Sequence, residues 1–127
     1  MREWKVATTD AFDAWFAALG ETSKGEEAQA EVIAKVGLLK VFGPSLGRPH
    51  ADTLTGSRHA NMKELRATTG EAVLRIAFAF DPTRSTILLC AGNKAGVSEK
   101  RFYRQLIDRA DRLYDAHLKA LKRAKGD

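Results

Sequence analysis

Arg75 stands inside an otherwise apolar run, "LRIAFAF", residues 74–80. Leu74, Ile76, Phe78 and Phe80 recur with period two and share one face of an extended segment. Arg75 therefore shares the other face with Val73, Ala77 and Ala79. In the preceding segment, "NMKELRA", Met62, Glu64 and Arg66 share a face; turning Leu65 into the core sets Glu64 and Arg66 beside Arg75. Lys94 follows the next apolar run, and Lys100, Arg101, Tyr103 and Arg104 open the last helical pattern. Arg48, Arg58, His59 and Lys63 flank the same region from the other end. Arginine offers paired N–H donors to a phosphate, lysine offers a point charge, and a tyrosine ring offers a plane for a base. An exposed Glu64–Arg75 pair would contribute about 0.2–1 kcal/mol, and one glutamate cannot neutralise the other cations. An RNA or DNA backbone is the ligand chemistry this set suits, which marks Arg48, Arg58, Lys63, Lys100, Arg101 and Arg104 as expected nucleic-acid contacts.

Other chemistries find no support. His50, His59 and His117 have no metal-ligand spacing and the chain has one cysteine, so no metal is expected. Glycine-rich phosphate loops and G-x-S-x-G elbows are absent from the sequence. Cys90, in "ILLCAG", reads as a buried thiol. Lys and Arg number 21 against 16 Asp and Glu, a formal +5 that favours a polyanionic partner. A length of 127 residues predicts one domain over 1–127. No apolar run approaches the ~20 residues needed to span a bilayer. The start, "MREWKVATTD", has no secretory pattern, so a cytoplasmic protein without a membrane partner is expected.

The elements that must position these residues follow from periodicity. "EWKVATT" predicts a short strand, and Phe12, Trp15, Phe16 and Leu19 predict a helix from Asp10 that stops at Gly20. Ser23 and Glu26 have capping-box spacing, opening a helix over residues 24–41 that buries Ala28, Val32, Val36 and Leu39. Residues 43–60 predict an irregular connection. "NMKELRA", "AVLRIAFAF" and "TILLCAG", joined by "TTGE" and "DPTRS", predict an antiparallel meander. Ser98 and Glu99 open a final helix with Phe102, Leu106, Ala110, Leu113 and Leu121 as its stripe. The predicted fold is α+β, strand–helix–helix–three strands–helix, with the helices on one sheet face. Arg75 then faces an open side, with Ala77 and Ala79 leaving clearance for a phosphate.

Three stretches, "LGRPHADTLTGSRHANMKELRA", "LRIAFAFDPTRSTILLCAGNKAG" and "KRFYRQLIDRADRLYDAHL", resemble the RelE/ParE toxin superfamily of type II toxin–antitoxin systems, in its HigB-like, phage-associated branch. The resemblance runs from residue 46 to 118. It implies a compact RelE-like fold, an N-terminal helical hairpin packed on an antiparallel sheet. It also implies a ribosome-dependent endoribonuclease that cleaves translated mRNA and inhibits translation and growth, with no metal or organic cofactor. The implied partners are the ribosome, mRNA and a cognate helix-turn-helix (HigA-like) antitoxin. By the same resemblance Arg75 meets the scissile phosphate, Arg66 is the strand-end arginine, Lys94 lies in a basic loop, and Tyr103 stacks on a base or helps activate the hydroxyl. RelE-type members carry two lysines where this chain has Met62 and Glu64, and other HigB-like members use histidines, of which only His59 is near. Glu64, His59 and Tyr103 therefore remain the candidates for general base. Two alternatives accompany this reading: a ParE-like DNA gyrase inhibitor, against which the retained basic set argues, and a non-catalytic relative that only binds antitoxin or nucleic acid.

Overall fold

Three hydroxyl side chains set where the helices begin. In the computed structural model, which describes residues 3–126, Thr9 accepts a hydrogen bond from the Phe12 amide (3.1 Å) at the start of α1, Asp10–Leu19. Thr22 accepts from the Gly25 amide (2.9 Å) to open α2, Ser23–Phe42. The cap thus falls one residue before the predicted Ser23. The two helices meet so closely that a Cβ on Gly25 would lie 1.5 Å from the Leu19 carbonyl oxygen. Ser98 caps α3, Glu99–Ala124, by accepting from the Arg101 amide (3.4 Å).

Five strands form one sheet: β1 Lys5–Thr8, β2 Ala51–Thr53, β3 Met62–Thr69, β4 Ala72–Phe80 and β5 Ser85–Asn93, in spatial order β1-β5-β4-β3-β2. The α+β class is as expected, but the sheet is mixed rather than antiparallel, because β1 runs parallel to β5. The α1–α2 hairpin carries the chain across the sheet to its far edge, and the meander then returns to β1 in the same direction. The connection predicted as irregular over 43–60 contains a 3-10 turn, Gly43–Ser45, and β2. Among the described residues no helix is long and apolar enough to cross a membrane.

The helices occupy both faces of the sheet, not one. Phe12, Val32, Leu39, Leu65, Leu74, Ile76, Phe78 and Leu88 pack between α1–α2 and the sheet. Met62, Ala77, Ala79, Leu89, Phe102, Leu106, Ala110 and Tyr114 pack under α3 on the other side. Ala77 and Ala79 are therefore fully buried, and the clearance they provide is filled by α3 rather than left for a ligand. A bulge in β5 supports this layer: Cys90 pairs with Ala77 and Leu88 with Phe78, so the intervening Leu89 joins Cys90 under α3. The stripe of α3 runs through Phe102, Leu106, Ala110 and Tyr114, whereas Leu121 lies beyond its buried part. Polar ties hold the middle of α3 and the turn beyond it. His117 Nε2 contacts Asp81 Oδ2 (2.7 Å), and Asp111 accepts from the Arg58 amide (3.0 Å).

Substituting Ala77→Leu should overpack this second layer and cost about 1–3 kcal/mol. Thermal unfolding followed by circular dichroism should show a midpoint several degrees lower. An unchanged midpoint would contradict the close packing of α3 on this face.

Candidate functional site

Strand register sets Arg66 directly opposite Arg75. Two guanidiniums paired across strands repel each other, and Glu64, two positions along β3 on the same face, resolves the conflict. Its Oε2 accepts from Arg66 Nε (3.1 Å) and Nη2 (3.0 Å), and its Oε1 lies 3.7 Å from Arg75 Nε. Glu64 is only 3 % exposed, so it depends on these donors to offset the cost of leaving water.

The first turns of α3 complete the cluster. Tyr103 donates its hydroxyl hydrogen to Glu64 Oε1 (2.8 Å) and accepts one from Arg75 Nε (3.2 Å). Arg75 Nη1 donates to the Leu74 carbonyl (2.9 Å), which orients the guanidinium and leaves Nη2 without a partner among the described residues. Lys94 holds its ammonium 5.6 Å from the centroid of the Tyr103 ring and pairs with Glu99 (2.7 Å). Gly92 stands opposite Arg75 on β5, and a Cβ there would come within 3.0 Å of the Phe102 ring. That glycine lets the start of α3 approach the sheet at the site.

Burial raises the Tyr103 phenol above its ordinary value of 10.0, and its hydrogen bond to Glu64 acts the same way, against the opposing effect of Arg75. The phenol thus stays protonated at neutral pH, with its hydrogen bond to Glu64 in place. For Arg66, burial opposes the charge, but the hydrogen bond to Glu64 and the nearby carboxylates outweigh it and strengthen the guanidinium's hold on its proton. Such fixed cations can stabilise charge developing on a phosphoryl group. Among the described residues no three His, Cys, Asp or Glu side chains group as metal ligands would.

Of the residues singled out from sequence, Glu64, Arg66, Arg75 and Tyr103 come together, with Lys94 beside them. Arg48 joins through a residue that periodicity did not flag: Asp52 accepts from Arg48 Nε (2.9 Å) and Arg66 Nη2 (3.4 Å). Lys100, Arg101 and Arg104 are exposed on the opening turns of α3. His59 and Arg58 lie elsewhere, both paired with Asp115, and the His59 ring meets Tyr114 edge-on at 4.8 Å. Tyr114 is eleven residues from Tyr103, about 16 Å along a helix, so His59 lies apart from the Arg75–Tyr103–Glu64 cluster. Lys63 pairs with Phe78 and faces the α1–α2 side. Lys35 and His50, which sequence reading left out, meet at 2.8 Å near the open edge of β3.

Residues 15–115 match a family model described as "Phage derived protein Gp49-like (DUF891)". Two similar proteins come from Mycobacterium tuberculosis (strain ATCC 25618 / H37Rv). The one named "Putative toxin HigB2" is 41% identical over 130 residues, covering 95% of this chain and 62% of that protein. The one named "Putative toxin HigB3" is 46% identical over 97 residues, covering 76% of this chain and 78% of its own length. The chain thus spans less than two thirds of the first relative.

Titrating phenol absorbance in the wild type and in Tyr103→Phe isolates the Tyr103 curve as their difference. Its midpoint should lie above 10.0. Because the folded chain binds this proton more tightly than the unfolded chain, the associated stability is complete below the ordinary value and disappears as pH rises through the folded midpoint. A midpoint at or below 10.0 would contradict the buried hydrogen bond to Glu64.

Proposed function

The chain belongs to the phage-derived Gp49-like family, and from that membership we propose that it is a HigB-like toxin of a type II toxin–antitoxin system, acting as a ribosome-dependent endoribonuclease on translated mRNA. Two relatives carry HigB toxin names. The observation that carries the enzymatic reading is the Arg75–Tyr103–Glu64 chain of hydrogen bonds, in which a buried carboxylate stands one phenol away from an arginine with open donors.

In the proposed reaction a ribose 2′-oxygen attacks the adjacent phosphorus, forming a 2′,3′-cyclic phosphate and releasing the 5′-oxygen. The 2′-hydroxyl proton passes to the Tyr103 oxygen while the phenol proton moves to Glu64 Oε1, along the existing 2.8 Å hydrogen bond. Arg75 Nη2, together with Arg66, stabilises the additional charge on the phosphoryl oxygens without a metal. The Lys94 ammonium protonates the leaving 5′-oxygen. Before a substrate arrives, Glu64 keeps the cations from repelling each other. Restraint of this activity falls to a cognate HigA-like, helix-turn-helix antitoxin, and the site of action is the cytoplasmic ribosome.

Arg75→Ala should abolish growth inhibition when the chain is expressed without an antitoxin. It should lower cleavage of translated mRNA, read by primer extension, by at least about 100-fold. Far-UV circular dichroism of the variant should match the wild type. A fully toxic variant would remove Arg75 from the chemistry. Inhibition of gyrase supercoiling by purified wild type, with no mRNA cleavage, would replace the nuclease reading with a ParE-like one.

A further inference from the structure

β2 covers β3 only as far as Leu65. The Arg66 amide then donates to the His50 carbonyl (2.8 Å), and the rest of β3 forms the free edge of the sheet. At this edge a cavity of about 350 Å³ is lined by Glu31, Lys35, Pro49, Arg66, Thr68 and Arg75. Three of these side chains are cationic and one is anionic. Glu64 and Asp52, the carboxylates that hold Arg66, are not among them.

Lys35 is the unusual member. Ala28, Val32 and Leu39 are the buried positions of α2, and residue 35 falls on the same face, three after Val32 and four before Leu39. An apolar side chain would serve packing at that position. The lysine side chain instead is 18% exposed, with its ammonium donating to His50 Nδ1 at 2.8 Å. An ammonium has donors only, so this contact requires a neutral His50 ring with its proton on Nε2. The Glu31 carboxylate is 3.9 Å away, beyond hydrogen-bond reach. Among the described residues no other group takes a hydrogen bond from Lys35, so two of its three donors remain for an occupant of the cavity. Partial burial makes such a charge costly; Glu31 offsets it as an ion pair at 3.9 Å, and the donors left without a hydrogen bond suit a further anion.

The geometry points to a second phosphate subsite: the cavity lined by Lys35, Arg66 and Thr68, with His50 holding the lysine, receives the phosphodiester next to the scissile one on a single RNA strand. This assignment rests on the nuclease reading above for the identity of the strand, since Arg75 lines both the cavity and the Tyr103–Glu64 cluster. Arg66 supplies Nη1, the one nitrogen of its guanidinium not held by Glu64 or Asp52, and Lys35 a point charge, two donors suited to a tetrahedral anion. Held at two successive phosphates, the strand would be fixed in direction as well as in place.

The full chain can be titrated with inorganic phosphate, and separately with 2′-O-methyl RNA dinucleotides and trinucleotides that cannot be cleaved, with amide signals followed by NMR. Phosphate should perturb Lys35, His50, Arg66 and Thr68, and Lys35→Met should remove that response. The same variant should weaken trinucleotide binding by about tenfold and reduce its salt slope by about 0.7. Dinucleotide binding, with one phosphate, should be unchanged, and Lys35→Arg should restore the trinucleotide affinity. Identical binding of all three ligands by wild type and Lys35→Met would overturn the subsite. An equal loss for both oligonucleotides would overturn its assignment to the second phosphate. Lys35-dependent phosphate and trinucleotide binding in a chain that neither cleaves mRNA nor inhibits growth would uphold the subsite and count against the nuclease reading.

Discussion

The buried carboxylate of Glu64 is the constraint on which this molecule depends. β3 and β4 are paired in a register that sets two guanidiniums face to face, and core packing on the opposite side fixes that register through Leu65, Leu74 and Ile76. Glu64 makes the arrangement tolerable by binding Arg66 directly and Arg75 both through space and through Tyr103. It also ties the opening turns of α3 to the sheet. Positioning of the basic side chains and closure of the second core layer are therefore one event. Losing the carboxylate would leave two neighbouring cations uncompensated in a half-dry environment.

Much of the site was legible because strand parity is strict. Alternation alone put Glu64, Arg66 and Arg75 on one face, and the helix start put Tyr103 within reach. The covering of that face was misread. Alanines at 77 and 79 are equally compatible with an open surface and with a closely docked helix. The better signal lay in "TILLCAG", whose unbroken apolar run marks a strand buried on both sides. Lys35 escaped notice because a charged residue in a helical stripe reads as solvent-facing, and His50 and the three-residue β2 that carries Asp52 are too short a stretch to show periodicity. His59 misled through nearness in sequence: its partner Asp115 sits on α3 far from Tyr103.

α3 has two ends with different tasks. Its N-terminal turns carry Tyr103 and the exposed Lys100, Arg101 and Arg104, while its middle is held by Asp111, Tyr114 and Asp115 to the segment before β3. His117 adds a contact to Asp81 in the β4–β5 turn. A helix fastened so firmly beyond the site holds the phenol with little freedom beside Glu64 and Arg75.

The bulge gives β5 one residue more than β4 across their paired stretch. It shifts the pairing by one residue, so that the residue meeting Arg75 is Gly92 rather than Ala91. Loss of the one extra residue between Leu88 and Cys90 would make the ladder regular and keep Gly92 opposite Arg75, while taking Leu89 out of the layer under α3. The extra residue thus serves the second core layer rather than the register of the site: it sets Leu89 and Cys90 side by side under α3 while the pairs before and after it stay in step with β4.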